Sequence, residues 1–188
     1  MRVVLATRNA HKAREFAVLL APHDVLALAP EVALPPETGD TFVANAREKA
    51  RAAAAATGLP AIADDSGIEA AALGGVPGVR SARFAGEHAS DEENLAKLLR
   101  EAPTGSELAY VCALVYVDAT GTEHVVEGRC TGTLAATPRG DGGFGYDPAF
   151  MPDDIPDGRT MAELEPAEKD AISHRGRAAR ALLAKLGD

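Results

Sequence analysis

Apolar residues in the first part of the chain come in short runs separated by polar turns. Val3 to Ala6 is one such run, followed by the polar residues Thr7, Asn9 and Lys12. From about His11 the spacing changes, and Phe16, Leu19 and Leu20 recur with helical periodicity. The pattern predicts a strand, a polar turn with Asn9 as N-cap, and a helix. Val25 to Leu28 predicts a second strand. A loop at Pro35, Pro36, Glu37, Thr38 and Gly39 precedes a helix that starts near Asp40 or Thr41. That helix runs through Phe42, Ala46, Lys49 and the alanines at 52–56, and Gly58 and Pro60 stop it. Ala61 to Ala63 predicts a strand that ends on two adjacent carboxylates, Asp64 and Asp65.

Further along, Gly74, Gly75, Pro77 and Gly78 predict an irregular loop. Ser90 and Glu93 form a capping box before Leu95, Leu98 and Leu99, which share one helical face. Ala109 to Val117 and His124 to Arg129 read as a hairpin turning through Asp118, Thr120 and Gly121. RGDGGFGYDP is a glycine-rich loop. A last helix is expected from about Ser173 to Leu186, with Ala179, Leu182, Leu183 and Leu186 inward.

Length and composition narrow the class. The 188 residues suit one domain, or one domain with two lobes. Hydrophobic residues at 46% and charged residues at 25% are the balance of a globular protein with a sizeable core. Trp is absent and aromatics are 4%, so Ala, Leu and Val must fill that core. The net charge of -9 argues against a general nucleic-acid binder, whose affinity comes from Lys and Arg. It leaves room for a single nucleotide, provided that a local cationic patch or a divalent cation reverses the field. Cys112 and Cys130 lack metal-site spacing and read as small buried hydrophobes in a reducing compartment. No signal-peptide pattern and no membrane-length apolar segment is evident, so a cytoplasmic protein with no membrane partner is expected.

Four clusters carry candidate chemistry. Thr7, Asn9 and Lys12 put a hydroxyl, an amide and an ammonium in a strand-to-helix turn, where free N–H groups attract anions; the alternative is an ordinary capped helix. Asp64, Asp65 and Ser66, with Glu37 as a remote partner, offer the hard oxygens that Mg²⁺ prefers, and one Asp can take a proton from water; the alternative is a closed Asx turn. Gly143, Phe144, Gly145, Tyr146 and Asp147 offer close backbone approach and aromatic faces, or simply a tight loop with a ring plugging the core. Lys169, Ser173, His174 and Arg175 offer donors for a ring edge, or a solvated helix start.

Together these clusters carry a resemblance. LATRNAHKAREF, ETGDTFVANAREKA, ADDSGIEAAALGGVPGVRSARFAG, GGFGYDPAF and AELEPAEKDAISHRGRA occur in this order over almost the whole chain. The chain closely resembles the pyrophosphatases of non-standard purine nucleoside triphosphates, the inosine triphosphatase (Ham1-like) family. The resemblance implies an α/β fold with a long mixed β-sheet and flanking helices, forming two lobes around a central cleft, with residues 1–188 as one such domain. It implies Mg²⁺-dependent hydrolysis of ITP, dITP and XTP to the monophosphate and pyrophosphate, and a homodimer.

The same resemblance implies residue roles. Thr7, Arg8, Asn9, Ala10, His11 and Lys12 line the substrate, with Thr7, Asn9 and Lys12 at the triphosphate. Glu37 stands at the metal. Asp65 is proton acceptor and metal ligand, with Glu37 or Asp64 as the second ligand. Ser66, Phe144, Gly145, Tyr146, Asp147, Lys169, Ser173, His174 and Arg175 meet the substrate, Phe144 by stacking on the base. The expected chemistry is attack of water on the α-phosphorus, with pyrophosphate leaving against Lys12. Donors such as Arg175 and nearby backbone N–H groups would pair with the 6-keto edge that adenine lacks. A phosphatase acting at the γ-phosphate and a nucleotide-sensing module without turnover are the competing readings.

Overall fold

The computed structural model describes residues 1–187. Six strands form one sheet in the order β2-β1-β3-β4-β5-β6. The strands are β1 (Arg2–Leu5), β2 (Asp24–Ala27), β3 (Ala61–Ala70), β4 (Glu107–Val117), β5 (Glu123–Leu134) and β6 (Phe150–Pro152). β1 pairs in parallel with β2, Val3 opposite Val25, and in parallel with β3, Val4 opposite Ala61. β5 and β6 are antiparallel, so the sheet is mixed as expected. The helices are α1 (Ala10–Leu19), α2 (Phe42–Thr57), α3 (Asp91–Glu101), α4 (Pro166–Ile172) and α5 (His174–Leu186).

Local chemistry accounts for most boundaries. Asn9 caps α1 by accepting from the N–H groups of His11 and Lys12. Thr41 caps α2 through the N–H of Ala44, and Gly58 closes it at φ 68°, a left-handed value open to glycine. Ser90 and Glu93 form the predicted box on α3. In the turn of the β4–β5 hairpin, the Asp118 carboxylate accepts from the N–H groups of Thr120 and Thr122.

Two expectations need correction. β3 does not stop at Ala63 but runs to Ala70, so both aspartates lie inside the strand. β5 does not stop at Arg129; it continues to Leu134 because Gly132, Thr133 and Leu134 pair with β6. A side chain at Gly132 would meet the Met151 carbonyl at 2.3 Å, which is why that pairing needs glycine. The last helix runs as expected, from His174 to Leu186, and a further short helix precedes it. Pro166 at the start and a Glu165/Glu168 capping box open α4, and Ser173, extended at ψ 154°, separates it from α5.

Two compact units emerge, each with a core of its own. The first comprises Met1–Asp65, Cys112–Gly128 and the chain from Arg175 onward. Its core gathers Val3, Phe16, Leu20, Ile62, Leu114 and Leu182. The second comprises Ser66–Val111 and Arg129–His174, with Ile68, Leu98, Leu134, Tyr146, Phe150 and Met161 at its centre. Small residues fill much of the first unit, with Ala46, Ala50 and Ala53 of α2 fully buried. Both cysteines are buried, and neither forms a disulfide among the described residues. None of the described helices is long and apolar enough to cross a membrane.

Candidate active site

In the first unit, α1 carries Lys12 to the Asp64 carboxylate at 2.7 Å. The rest of the 7–12 segment mostly holds itself in place. Thr7 Oγ1 accepts from the Asn9 N–H at 3.2 Å, and Asn9 Oδ1 accepts from His11 and Lys12. Two of the helix's N-terminal N–H groups are therefore engaged by its own cap. The Arg8 guanidinium donates to the carbonyls of Leu28, Ala29, Pro30 and Val32, the last at 2.6 Å, and so fastens the loop after β2. Arg14 lies 3.0 Å from Nδ1 of His11, and Ala10 opens the helix.

Consecutive side chains of a strand leave on opposite faces. Asp64 and Asp65 accordingly diverge: Asp64 meets Lys12 of α1, whereas Asp65 accepts from Asn45 of α2 at 2.8 Å. Their electrostatics diverge as well. Burial pushes Asp64 up, but Lys12, Lys49 and Arg175 outweigh it and hold the carboxyl at about 2. Burial also pushes Asp65 up, and the charge of Glu37 adds to that, so Asp65 stays above the ordinary carboxylate range despite Lys49 and Asn45. Lys49 bridges the cluster, donating to Glu37 Oε1 and to the Asp64 backbone carbonyl, each at 2.5 Å. Its burial favours the neutral amine, yet Asp64 and Glu37 prevail and raise its pKa.

This donor set bears on the expected cation. Among the described residues no three His, Cys, Asp or Glu side chains gather as a metal cage. Asp64 already faces compensating positive charge, whereas the charge of Glu37 adds to the cost of ionising Asp65. Two carboxylates completed by substrate phosphates and waters are what Mg²⁺ commonly uses, so Glu37 and Asp65 fit it.

Arg175 also belongs to the first unit, at 6% exposure, with Nη1 donating to Glu15 at 3.0 Å. Its charge is one of those acting on Asp64, so it serves the acidic cluster. Ser66 follows Asp65 within β3 and is half-buried.

In the second unit, the glycine-rich loop is organised around Asp147. This carboxylate is 4% exposed and accepts from three donors: Tyr110 Oη at 2.9 Å, the Phe144 N–H at 3.0 Å and Lys169 Nζ at 2.8 Å. The Lys169 ammonium lies 5.3 Å from the centre of the half-buried Phe144 ring. The Gly145 N–H donates to Asp91. Tyr146 is buried and donates to the Ser81 carbonyl at 2.7 Å, so its hydroxyl is structural. Gly143, at φ 73°, is required sterically, since a side chain there would meet Asp147 Oδ2 at 2.0 Å. The His174 ring, first in α5, stacks on Tyr110 with centroids 4.6 Å apart. Ser173, also buried, is the extended residue before it.

Asn45, Lys49 and Tyr110 are the residues that reading the sequence did not place here. Asn45 and Lys49 had a signal: two polar side chains at i and i+4 on an alanine face that is otherwise buried. Asn45 also accepts from the Gly39 N–H at 2.7 Å, tying the ETG loop to Asp65. Tyr110 had none, because it lies in a continuously apolar strand.

The α/β sheet sets Lys12 and the buried Lys49 against strand-borne carboxylates, and elsewhere a lysine lies over an aromatic ring in a glycine-rich loop. The chain belongs to the Ham1 family, whose model matches residues 3–185. It is 57% identical over 155 residues to a protein of Mycolicibacterium paratuberculosis named dITP/XTP pyrophosphatase, covering 80% of this chain and 75% of that one. Identity to the dITP/XTP pyrophosphatase of Streptomyces coelicolor is 48%, over 97% of this chain and 95% of the relative. A solved HAM1 protein from Coxiella burnetii superposes with a TM-score of 0.87 at 40% identity, covering 100% of this chain and 98% of that one.

Proposed function

We propose that this chain is a nucleoside triphosphate pyrophosphatase that hydrolyses ITP, dITP and XTP to the monophosphate and pyrophosphate. The observation that carries the reading is the divergence of two adjacent carboxylates of β3, Asp64 meeting Lys12 at 2.7 Å and Asp65 meeting Asn45 at 2.8 Å. Asp65 takes the proton of the water that adds to the α-phosphorus, and the bond from that phosphorus to the bridging oxygen breaks. Lys12, which pairs with Asp64, is assigned to the departing pyrophosphate, and a divalent cation would supply the rest of the positive charge. Glu37 and Asp65 would hold Mg²⁺, which would supply Lewis acidity and orient the phosphates. The base end falls to Phe144, Lys169 and His174, whose aromatic face and donors suit a purine with a 6-keto oxygen. The Phe144 and Gly145 N–H groups already have partners, so the keto edge is assigned to side-chain donors, Arg175 among them, whose Nη1 donates to Glu15 and which has further N–H groups. The family resemblance supports a homodimer, a cytoplasmic setting and residues 1–188 acting as one domain.

A panel of nucleoside triphosphates with Mg²⁺, scored for pyrophosphate, tests this reading. ITP and XTP are expected to yield pyrophosphate and ATP far less, since hydrogen-bond recognition discriminates by up to about 10⁴–10⁵. Orthophosphate as the product, or equal turnover of ATP, overturns it.

A further inference from the structure

Tyr110 sits at the junction of Phe144, Lys169 and His174, assigned above to the purine, although it is a β4 residue buried in the core of the second unit. Its ring lies between two others, with the His174 centroid at 4.6 Å and 11° and the Phe150 centroid at 4.5 Å and 27°. Its hydroxyl donates to Asp147 Oδ1, while Oδ2 of the same carboxylate accepts from the Phe144 N–H and from Lys169. Packing alone asks for a ring at this position, not for a hydroxyl. Once buried, a hydroxyl needs a partner, and this one has a carboxylate whose other oxygen holds two of the base-binding groups.

We propose that Tyr110 is a positioning residue for purine recognition. Through Asp147 its hydroxyl fixes the Phe144 loop and the Lys169 ammonium, and through stacking its ring fixes the His174 imidazole. The inference rests on the base end lying at these residues, as the proposed function has it. Asp147 is likewise a positioning group, because its contacts are with Tyr110, Phe144 and Lys169. Gly143 fits this arrangement, as any side chain there would displace the carboxylate from both of its Oδ2 donors.

The test is steady-state hydrolysis of ITP and of ATP by wild type, Tyr110→Phe, Asp147→Asn and the double variant. Phe keeps both ring stacks, and calorimetric melting confirms that each variant is folded at the assay temperature. Loss of a hydrogen bond to a charged group is expected to raise the KM for ITP roughly tenfold, with kcat within about twofold and a smaller ITP-to-ATP preference. The double variant is expected to match Asp147→Asn, because the hydroxyl acts through that carboxylate. Wild-type KM and selectivity in folded Tyr110→Phe overturn the proposal, as do additive effects in the double variant. A lowered melting temperature with unchanged constants makes Tyr110 a packing residue only. Wild type that releases no pyrophosphate from ITP overturns the function itself, whatever the variants do.

Discussion

At the scale of single residues, the neighbours Asp64 and Asp65 do different work because a strand turns them to opposite faces. Asp64 is a buried anion matched by Lys12, and Asp65 is an anion kept at a cost beside Glu37. Asp65→Asn is expected to lower kcat by about 10²–10⁴ while leaving the melting temperature unchanged or higher. Asp64→Asn leaves Lys12 facing an uncharged amide in a buried site, so unfolding in urea is expected to show a loss of about 3–5 kcal/mol. The pH dependence follows the sign of each shift. Asp64 is depressed in the folded state, so its contribution is full above the unfolded carboxyl's pKa near 4 and is lost as pH falls towards about 2. Asp65 is raised, so it favours the fold below that unfolded value, and this is lost as pH rises through its folded pKa. Urea melts across the acid range should therefore show a shallower acid loss in Asp64→Asn than in wild type. Much of this site was legible: Lys12, Glu37, Asp64 and Asp65 are motif residues. Their division of labour was not, because the Lys12–Asp64 and Asn45–Asp65 contacts join residues far apart in the chain.

At the scale of elements, caps and glycines were the readable part. Asn9, Thr41, the Ser90–Glu93 box and Gly58 all stand where the sequence pattern puts them. Thr41→Ala is expected to cost about 1 kcal/mol by denaturant unfolding, since it removes the oxygen that receives the Ala44 N–H. Strand ends were less readable, because pairing with a distant partner extends a strand past its local apolar run. Two charges inside β3 look like an end until Lys12 and Asn45 are brought to them. The extension of β5 depends on β6, which falls in the loop-like stretch after GGFGYDP. The last helix begins where it was expected, next to Ser173, whereas α4 was not read, although Glu165, Pro166 and Glu168 mark its start plainly.

At the scale of the whole molecule, an acidic chain handling a polyanion must reverse its own field locally. With a net charge of -9, Lys12 and Lys49 are already engaged by Asp64 and Glu37. On the proposed reading a divalent cation on Glu37 and Asp65 would supply the missing positive charge, so a chelator in excess is expected to abolish pyrophosphate release, and added Mg²⁺ to restore it. The central claim is the site of bond cleavage. It is tested most directly by hydrolysing ITP with Mg²⁺ in ¹⁸O-labelled water and following both products by phosphorus NMR. Inosine monophosphate carrying the label is expected, with unlabelled pyrophosphate beside it. Label in pyrophosphate, or release of orthophosphate, would contradict it.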